Sequence, residues 1–293
     1  RNMSRRQIAQ ELECNFNASG DTVIHSEDLE QLVFGVKEPM YRTGFDRNLW
    51  LWEQYNPEAS YLMVADVARG DGADFSVFHI IKLETMEIVG EYRGKPNLEE
   101  FATILDTTGR EFGSCLMVVE NNSLGISILE KLQDREYPNL YFSIKGTHEY
   151  VDQIQAESLN NSVPGFTTSS KTRPLIVAKM EEFIRNKLIT VYSSRLVDEF
   201  KTFIWNNNKA EAMRSYHDDL VMALAIGCWV RDTALTVNQR DVEYKKAMVG
   251  SMMLNSKKFE TRNINARTMY QGLTEEQREI KDQYKEFVWL LKG

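Results

Sequence analysis

The sequence predicts an α/β fold: a mixed sheet of five or more strands that opens in a meander and is flanked by helices. Three observations predict it. Residues 60–92 carry three successive strand patterns, SYLMVADVA, FSVFHIIKL and MEIVGEY, close enough in sequence to pair as an antiparallel meander. Helix and strand patterns then alternate through residue 144, as they do in chains that build a mixed sheet with crossovers. The runs at 61–65 and 115–119 are apolar almost throughout, which is the composition of strands covered on both faces.

In chain order, residues 1–57 hold two helix starts: SRRQ at Ser4–Gln7 with capping-box spacing, and SEDL with Ser26 before two acidic residues. NFNASGDT and KEPMYRTGFDRN are rich in turn formers, so this segment reads as a linker or the tail of a preceding domain. Residues 58–235 form the dense domain. There NLEEFATILDTTGREFG places Leu98, Phe101, Ile104 and Leu105 at helical spacing and closes on Gly113. A helix over about 123–133 and the strand NLYFSI follow. NSVPGFTTSSKTRPL is a loop, and Thr172 caps a helix with Pro174 in its first turn. LITVYS reads as a short strand, SRLVDEFKTFIW as a helix, NNNKAEAMRSYH as a polar loop and DDLVMALAIGCWVRD as a buried helix. Residues 236–293 change character, with a Met-rich part, the basic stretch NSKKFETRNINAR and a helix capped by TEEQ that carries Ile280, Tyr284, Phe287, Val288 and Leu291 on one face. They read as an appendage that docks on the core or on a partner.

Composition bounds the class. The 293 residues are 42% hydrophobic and 27% charged, which is ordinary for a globular chain. A formal charge of −8 requires any nucleic-acid contact to come from a local basic face. Cys14, Cys115 and Cys228 are far apart and odd in number, which fits a reducing compartment and neither a disulfide framework nor a zinc site. The chain opens at Arg1 with no charged-then-apolar leader, so no secretion is expected. The longest apolar run, 220–230, falls short of the roughly 20 residues that a membrane span needs.

Four carboxylates stand where buried elements reach the surface. Asp66 ends the first strand, Glu120 ends CLMVVE, and Asp218 with Asp219 opens the late helix. Each alone has an ordinary reading as a turn or cap residue. Together they occupy one predicted sheet edge, the edge at which open α/β sheets bind ligands. Clustered carboxylates repel one another unless protonated or neutralised, and hard oxygen donors favour Mg²⁺ or Mn²⁺. Two such ions about 3.5–4 Å apart promote in-line phosphoryl displacement, so phosphodiester hydrolysis is the chemistry suggested.

A meander opening on a strand Asp, a second acid ending the fourth strand and an acid at the start of a late buried helix resemble the ribonuclease H and junction-resolvase type of fold. More closely, VADVARGDGADFSVF, MVVENNSLG, GFTTSSKTRPLI and YHDDLVMALAIGCWV resemble successive motifs of the nuclease domain of the large terminase subunit of tailed phages, of the T-even type. SRRQIAQELECNFNASGDTVI resembles the segment that joins the ATPase to the nuclease in that family. The resemblance covers about residues 3–235 and implies a metal-dependent endonuclease that cuts concatemeric double-stranded DNA at the start and end of genome packaging. It implies a two-metal mechanism with water as nucleophile, and as partners DNA, the portal protein, the small terminase subunit and the chain's own ATPase domain, in the cytoplasm of an infected bacterium. It places the family's acids on Asp66, bridging two ions, on Glu120, and on Asp218 or Asp219. Asp218 is preferred because ribonuclease H-like enzymes set this acid two residues before the first apolar residue of the helix, which leaves Asp219 as a second ligand or a neighbour of the ligands. The alternatives are a junction resolvase-like nuclease, which would prefer branched DNA, and a non-catalytic docking module, which would bind no metal.

Other candidates are auxiliary. Asp71 and Asp74 lie in the glycine-bearing turn after Asp66, where loop solvation is the plainer reading. His217 is placed to orient a water or phosphate, since imidazole exchanges protons near neutrality, although a histidine before a helix is commonly structural. Lys171 and Arg173, with Lys179 beyond them, form the expected DNA-phosphate contact beside a helix start. GEYRGKP lacks the glycine spacing and the Ser or Thr of a nucleotide-binding P-loop.

Overall fold

The structure, a computed structural model, describes residues 22–231 apart from 69, 71, 73, 123, 146–149, 152–155, 157–158 and 208. Its helices are α1 (Ser26–Gly35), α2 (Leu98–Glu111), α3 (Leu124–Asp134), α4 (Thr172–Arg185), α5 (Ser194–Thr202) and α6 (residues 219–231). Its strands are β1 (Tyr41–Thr43), β2 (Leu49–Leu51), β3 (Tyr61–Asp66), β4 (Ser76–Lys82), β5 (Glu87–Gly94), β6 (Leu116–Val119), β7 (Phe142–Ile144), β8 (Tyr150–Val151), β9 (Ser162–Pro164), β10 (Phe203–Asn206) and β11 (Lys209–Ala212).

The main sheet has the order β1-β2-β5-β4-β3-β6. The predicted meander is β3-β4-β5, antiparallel throughout, and β6 joins β3 in parallel after the α2 crossover. Single parallel bridges from Leu140 to Met117 and from Phe166 to Glu120 then line the outer edge of β6. That edge is therefore covered, which suits a strand as apolar as Leu116–Val119. The predicted α/β architecture is the observed one.

Alternation along the strands splits the core between the two faces. Met63, Ala65, Phe78, Ile80, Met117 and Val119 pack with α2 and α3 residues such as Phe101, Leu105 and Leu129. Leu62, Val64, Val77, Ile81, Leu116 and Val118 pack with Ile176, Phe200 and the run Leu220–Ile226 of α4, α5 and α6. The same parity dictates where the acids go: Asp66 follows Leu62 and Val64, and Glu120 follows Leu116 and Val118. Both therefore face the side covered by α6. The register pairs Ala65 with Val119, and the Glu120 amide donates to the Ala65 carbonyl, so the two acids leave neighbouring strand ends together.

Several local expectations change. Residues before 58, expected as a linker, contribute to this core: β2 pairs with β5, and Val23, Ile24 and Leu29 are buried in the α4–α6 layer. Helix α1 starts at Ser26 as expected, with His25 at the N-cap position and no side-chain cap. Thr172 lies inside α4, whose N-cap position is Lys171; the hydroxyl of Ser169 accepts from the amides of both. LITVYS forms no strand, only a bridge from Thr190 to Glu87. The expected helix SRLVDEFKTFIW stops at Thr202, and the expected polar loop is a hairpin, β10 with β11, turned at Asn207 with φ +47. Asparagines between paired ends are the signature of such a turn. SRRQ, TEEQ and the appendage at 236–293 lie outside the described residues.

Candidate metal centre in an acidic cleft

A cleft of about 590 Å³ opens at the carboxyl ends of β3 and β6, lined by Asp66, Glu120, Asp219, Asp74, Asn122 and Phe75, among others. Each principal acid is held by its own neighbourhood. The Val67 amide donates to Asp66 Oδ1 (2.7 Å), the Asn122 side-chain amide to Glu120 Oε1 (2.7 Å) and the Phe75 amide to Asp219 Oδ2 (3.0 Å). Glu120 is buried, and the start of α3 presses on it through Gly125.

The electrostatics of the cleft are those of crowded negative charge. Burial pushes the Asp66 carboxyl well above the usual carboxylate range, and the charges of Glu120 and Asp219 push it further. Burial also raises Asp219; the Phe75 amide and His217 oppose that shift, whereas Asp74 and Asp218 add to it. No basic side chain lines the cleft among the described residues. Hard oxygen donors gathered without a counter-charge fit a divalent cation.

Of the two acids at the start of α6, Asp219 lines the cleft and Asp218, the one preferred from the sequence, does not. Successive residues on a helix point about 100° apart, so two neighbours at its start cannot share one direction. Asp218 faces away and binds the Arg173 guanidinium at 2.6 Å. Arg173, expected at a DNA phosphate, donates to Asp218 and to the Ala210 carbonyl. Lys179 pairs with Glu182 one turn on (3.3 Å), and Lys171 is exposed at the start of α4; neither lines the cleft. Asp74 lines the cleft, and His217 stands beside it. His217 Nδ1 lies 3.7 Å from Asp74 and 3.8 Å from Asp219, its ring edge-on to Phe75, and the ligand atoms of all three lie within 4.8 Å of one another. Asp71 lies outside the described residues.

Asn122, Phe75 and Lys95 stand at the cleft without being among the sequence candidates. The NNS after Glu120 was a signal for Asn122, because a short amide two residues after a strand end reaches back to that end. Lys95 donates to the Gly72 carbonyl (3.0 Å) and lies 4.7 Å from the Phe75 ring, which ties β5 to the cleft loop; no local pattern announced it.

The raised Asp66 carboxyl has a consequence for stability. The folded state holds a proton at pH values where the unfolded chain, near 3.8, has already lost it. The unfolded state then binds fewer protons, so this contribution is full below 3.8 and is lost as pH rises through the raised folded value. In EDTA, the wild type is expected to lose stability relative to Asp66→Asn as pH rises from about 3.8 through the raised folded value, with a slope of up to about 1.4 kcal/mol per pH unit. Urea titrations of both proteins across that range check it; a pH-independent difference would show that Asp66 does not carry the strain.

The topology and the cleft together define the class: a ribonuclease H-like fold, with the meander, the parallel fourth strand and acids at the shared strand ends. The chain is similar in structure to the large terminase nuclease from thermophilic phage G20c with bound magnesium, at TM-score 0.55 and 20% identity over 71% of this chain and 96% of that one. The same nuclease with bound cobalt gives the same figures, and the large terminase nuclease domain of Thermus phage P74-26 gives TM-score 0.51 at 20% identity over 68% of this chain and 92% of that one. At such identities the likeness is one of fold. No protein-family model matches the chain.

Proposed function

We propose that this chain is the metal-dependent endonuclease domain of a phage terminase large subunit, cutting double-stranded DNA by hydrolysis. The observation that carries this reading is the convergence of Asp66, Glu120 and Asp219, from β3, the end of β6 and the start of α6, in one cleft that no Lys or Arg lines among the described residues. The fold shared with terminase nucleases, one of them with bound magnesium, supports it. The four sequence motifs support the finer reading of a T-even-type enzyme that cuts concatemers at the start and end of packaging. On that reading its partners are an ATPase domain, the small terminase subunit and the portal, and it works in the cytoplasm of the infected cell.

Asp66, Glu120 and Asp219 would hold Mg²⁺ or Mn²⁺, with Asp74 beside Asp219. Bound there, the cation supplies Lewis-acid stabilisation of charge on the phosphate and makes water a better nucleophile. The chain's own residues supply direction. The Val67 and Phe75 amides fix the carboxylates of Asp66 and Asp219, and the Asn122 amide fixes that of Glu120. His217 orients water or phosphate at the cleft, and Lys171 contacts backbone phosphate with the neighbouring loop. One small cationic patch on a chain of charge −8 gives weak, salt-sensitive and sequence-independent binding, as suits an enzyme whose substrate is held by a motor.

Supercoiled plasmid incubated with Mg²⁺, Mn²⁺ or EDTA tests the reading. Wild type is expected to linearise the plasmid only with metal, and Asp66→Asn, folded by circular dichroism, to leave it intact. Cleavage in EDTA, or equal cleavage by the variant, would remove the metal centre from the reaction, and faster cutting of branched than of linear duplex would favour a resolvase.

A further inference from the structure

Helix α6 begins without a cap of its own. Asp218 stands at the N-cap position, and its carbonyl accepts the Met222 amide (2.8 Å), but its side chain is turned to Arg173. A cap side chain ordinarily takes the amides two and three residues on. Here those amides, of Leu220 and Val221, both donate to Oε2 of Glu199, at 2.9 and 3.2 Å. Glu199 comes from a different helix, α5, and is buried.

The other oxygen of Glu199 leads to the same acid by a second route. Oε1 lies 3.7 Å from the Arg93 guanidinium, which stacks on the Phe75 ring at 4.1 Å. The Phe75 amide is the donor that holds Asp219 Oδ2. His79, buried on β4, adds a strut by donating from Nε2 to the Leu220 carbonyl (2.9 Å).

We infer that Glu199 is a positioning residue of the metal centre: it caps α6 from a neighbouring helix, releases Asp218 to Arg173 and leaves Asp219 aimed into the cleft. A cap supplied by Asp218 would hold the helix end by its own chain. A cap supplied by α5 fixes the height and rotation of α6 against the core, and the ligand direction follows from those. This inference rests on the proposed reading that the cleft holds a divalent cation.

The test is Mn²⁺ affinity of the whole chain, read from the electron paramagnetic resonance of the free ion. Compared are wild type, Glu199→Leu, Glu199→Asp, Glu199→Gln, Asp66→Asn and the core variant Leu105→Ala. Glu199→Leu removes the acceptor, and Glu199→Asp withdraws it by one methylene while keeping a carboxyl group near Arg93. Both are expected to weaken Mn²⁺ binding about 10–100-fold, as loss of support behind a ligand does. Glu199→Gln keeps an acceptor oxygen and is expected to bind like wild type. Leu105→Ala should melt earlier and bind Mn²⁺ normally, which separates positioning from general destabilisation. Wild-type affinity in a folded Glu199→Leu or Glu199→Asp would overturn the inference and leave the metal centre standing, provided Asp66→Asn has lost Mn²⁺. No Mn²⁺ binding by wild type would remove both.

Discussion

Asp219→Asn is expected to lower metal-dependent plasmid cleavage by about 10³-fold or more, since losing a ligand forfeits several kcal/mol of stabilisation and each 1.36 kcal/mol is tenfold in rate. Asp218→Asn is expected to keep cleavage within about tenfold, with a cost of about 1 kcal/mol in stability. The two residues are adjacent and chemically identical, so only direction separates them. Asp219 faces Asp66 and Glu120 and is held by the Phe75 amide, whereas Asp218 spends its carboxylate on Arg173. Arg173→Met accompanied by loss of the ion pair should resemble Asp218→Asn and not Asp219→Asn. Initial rates of linearisation for the three variants decide it. An equal loss in Asp218→Asn would mean that the helix start turns on metal binding and brings both acids into the cleft.

That distinction marks the boundary of what the sequence holds. The meander, the parallel strand and the convergence of Asp66 with Glu120 are legible because they follow from period-two alternation and strand order: both acids continue the even-numbered positions of their strands. The choice between Asp218 and Asp219 is not legible. It depends on which neighbour takes the Arg173 guanidinium, on a cap supplied by Glu199, and on an amide of Phe75, 144 residues away from Asp219 in sequence. The ion pair of Arg173 is hidden in the sequence for a related reason. A basic residue beside a helix start looks free until the fold brings an acid to it, and here that acid is Asp218. The β10–β11 hairpin was passed over because its strands are short and only Phe203 and Ala210 are buried, so the polar residues around them dominate the pattern. Its Asn207 turn was the available clue.

Gly125→Ala is expected to have the largest effect on stability of any single methyl group added near the site. A Cβ at Gly125 would lie 1.7 Å from the Glu120 carbonyl oxygen and 2.8 Å from its carbon, both backbone atoms that no rotamer change can move. Either α3 must withdraw or the end of β6 must shift, and each choice disturbs a functional element. The Glu120 carboxylate is held by Asn122, whose carbonyl accepts the Gly125 amide at 2.7 Å, so ligand, support and helix start form one tight turn. Over-packing of this kind costs about 3 kcal/mol, which in a domain of this size lowers the melting temperature by roughly 6–12 °C. Mn²⁺ affinity should fall with it, because the displaced backbone is that of a proposed ligand. Gly72→Ala is the matched control in the same cleft: a Cβ there meets nothing within 4 Å, and the change should stay within about 0.5 kcal/mol. Thermal melts with and without Mn²⁺ check both variants. A Gly125→Ala protein as stable as Gly72→Ala would show that the α3 start is slack enough to yield, and the close approach of helix to strand would then have no part in holding Glu120.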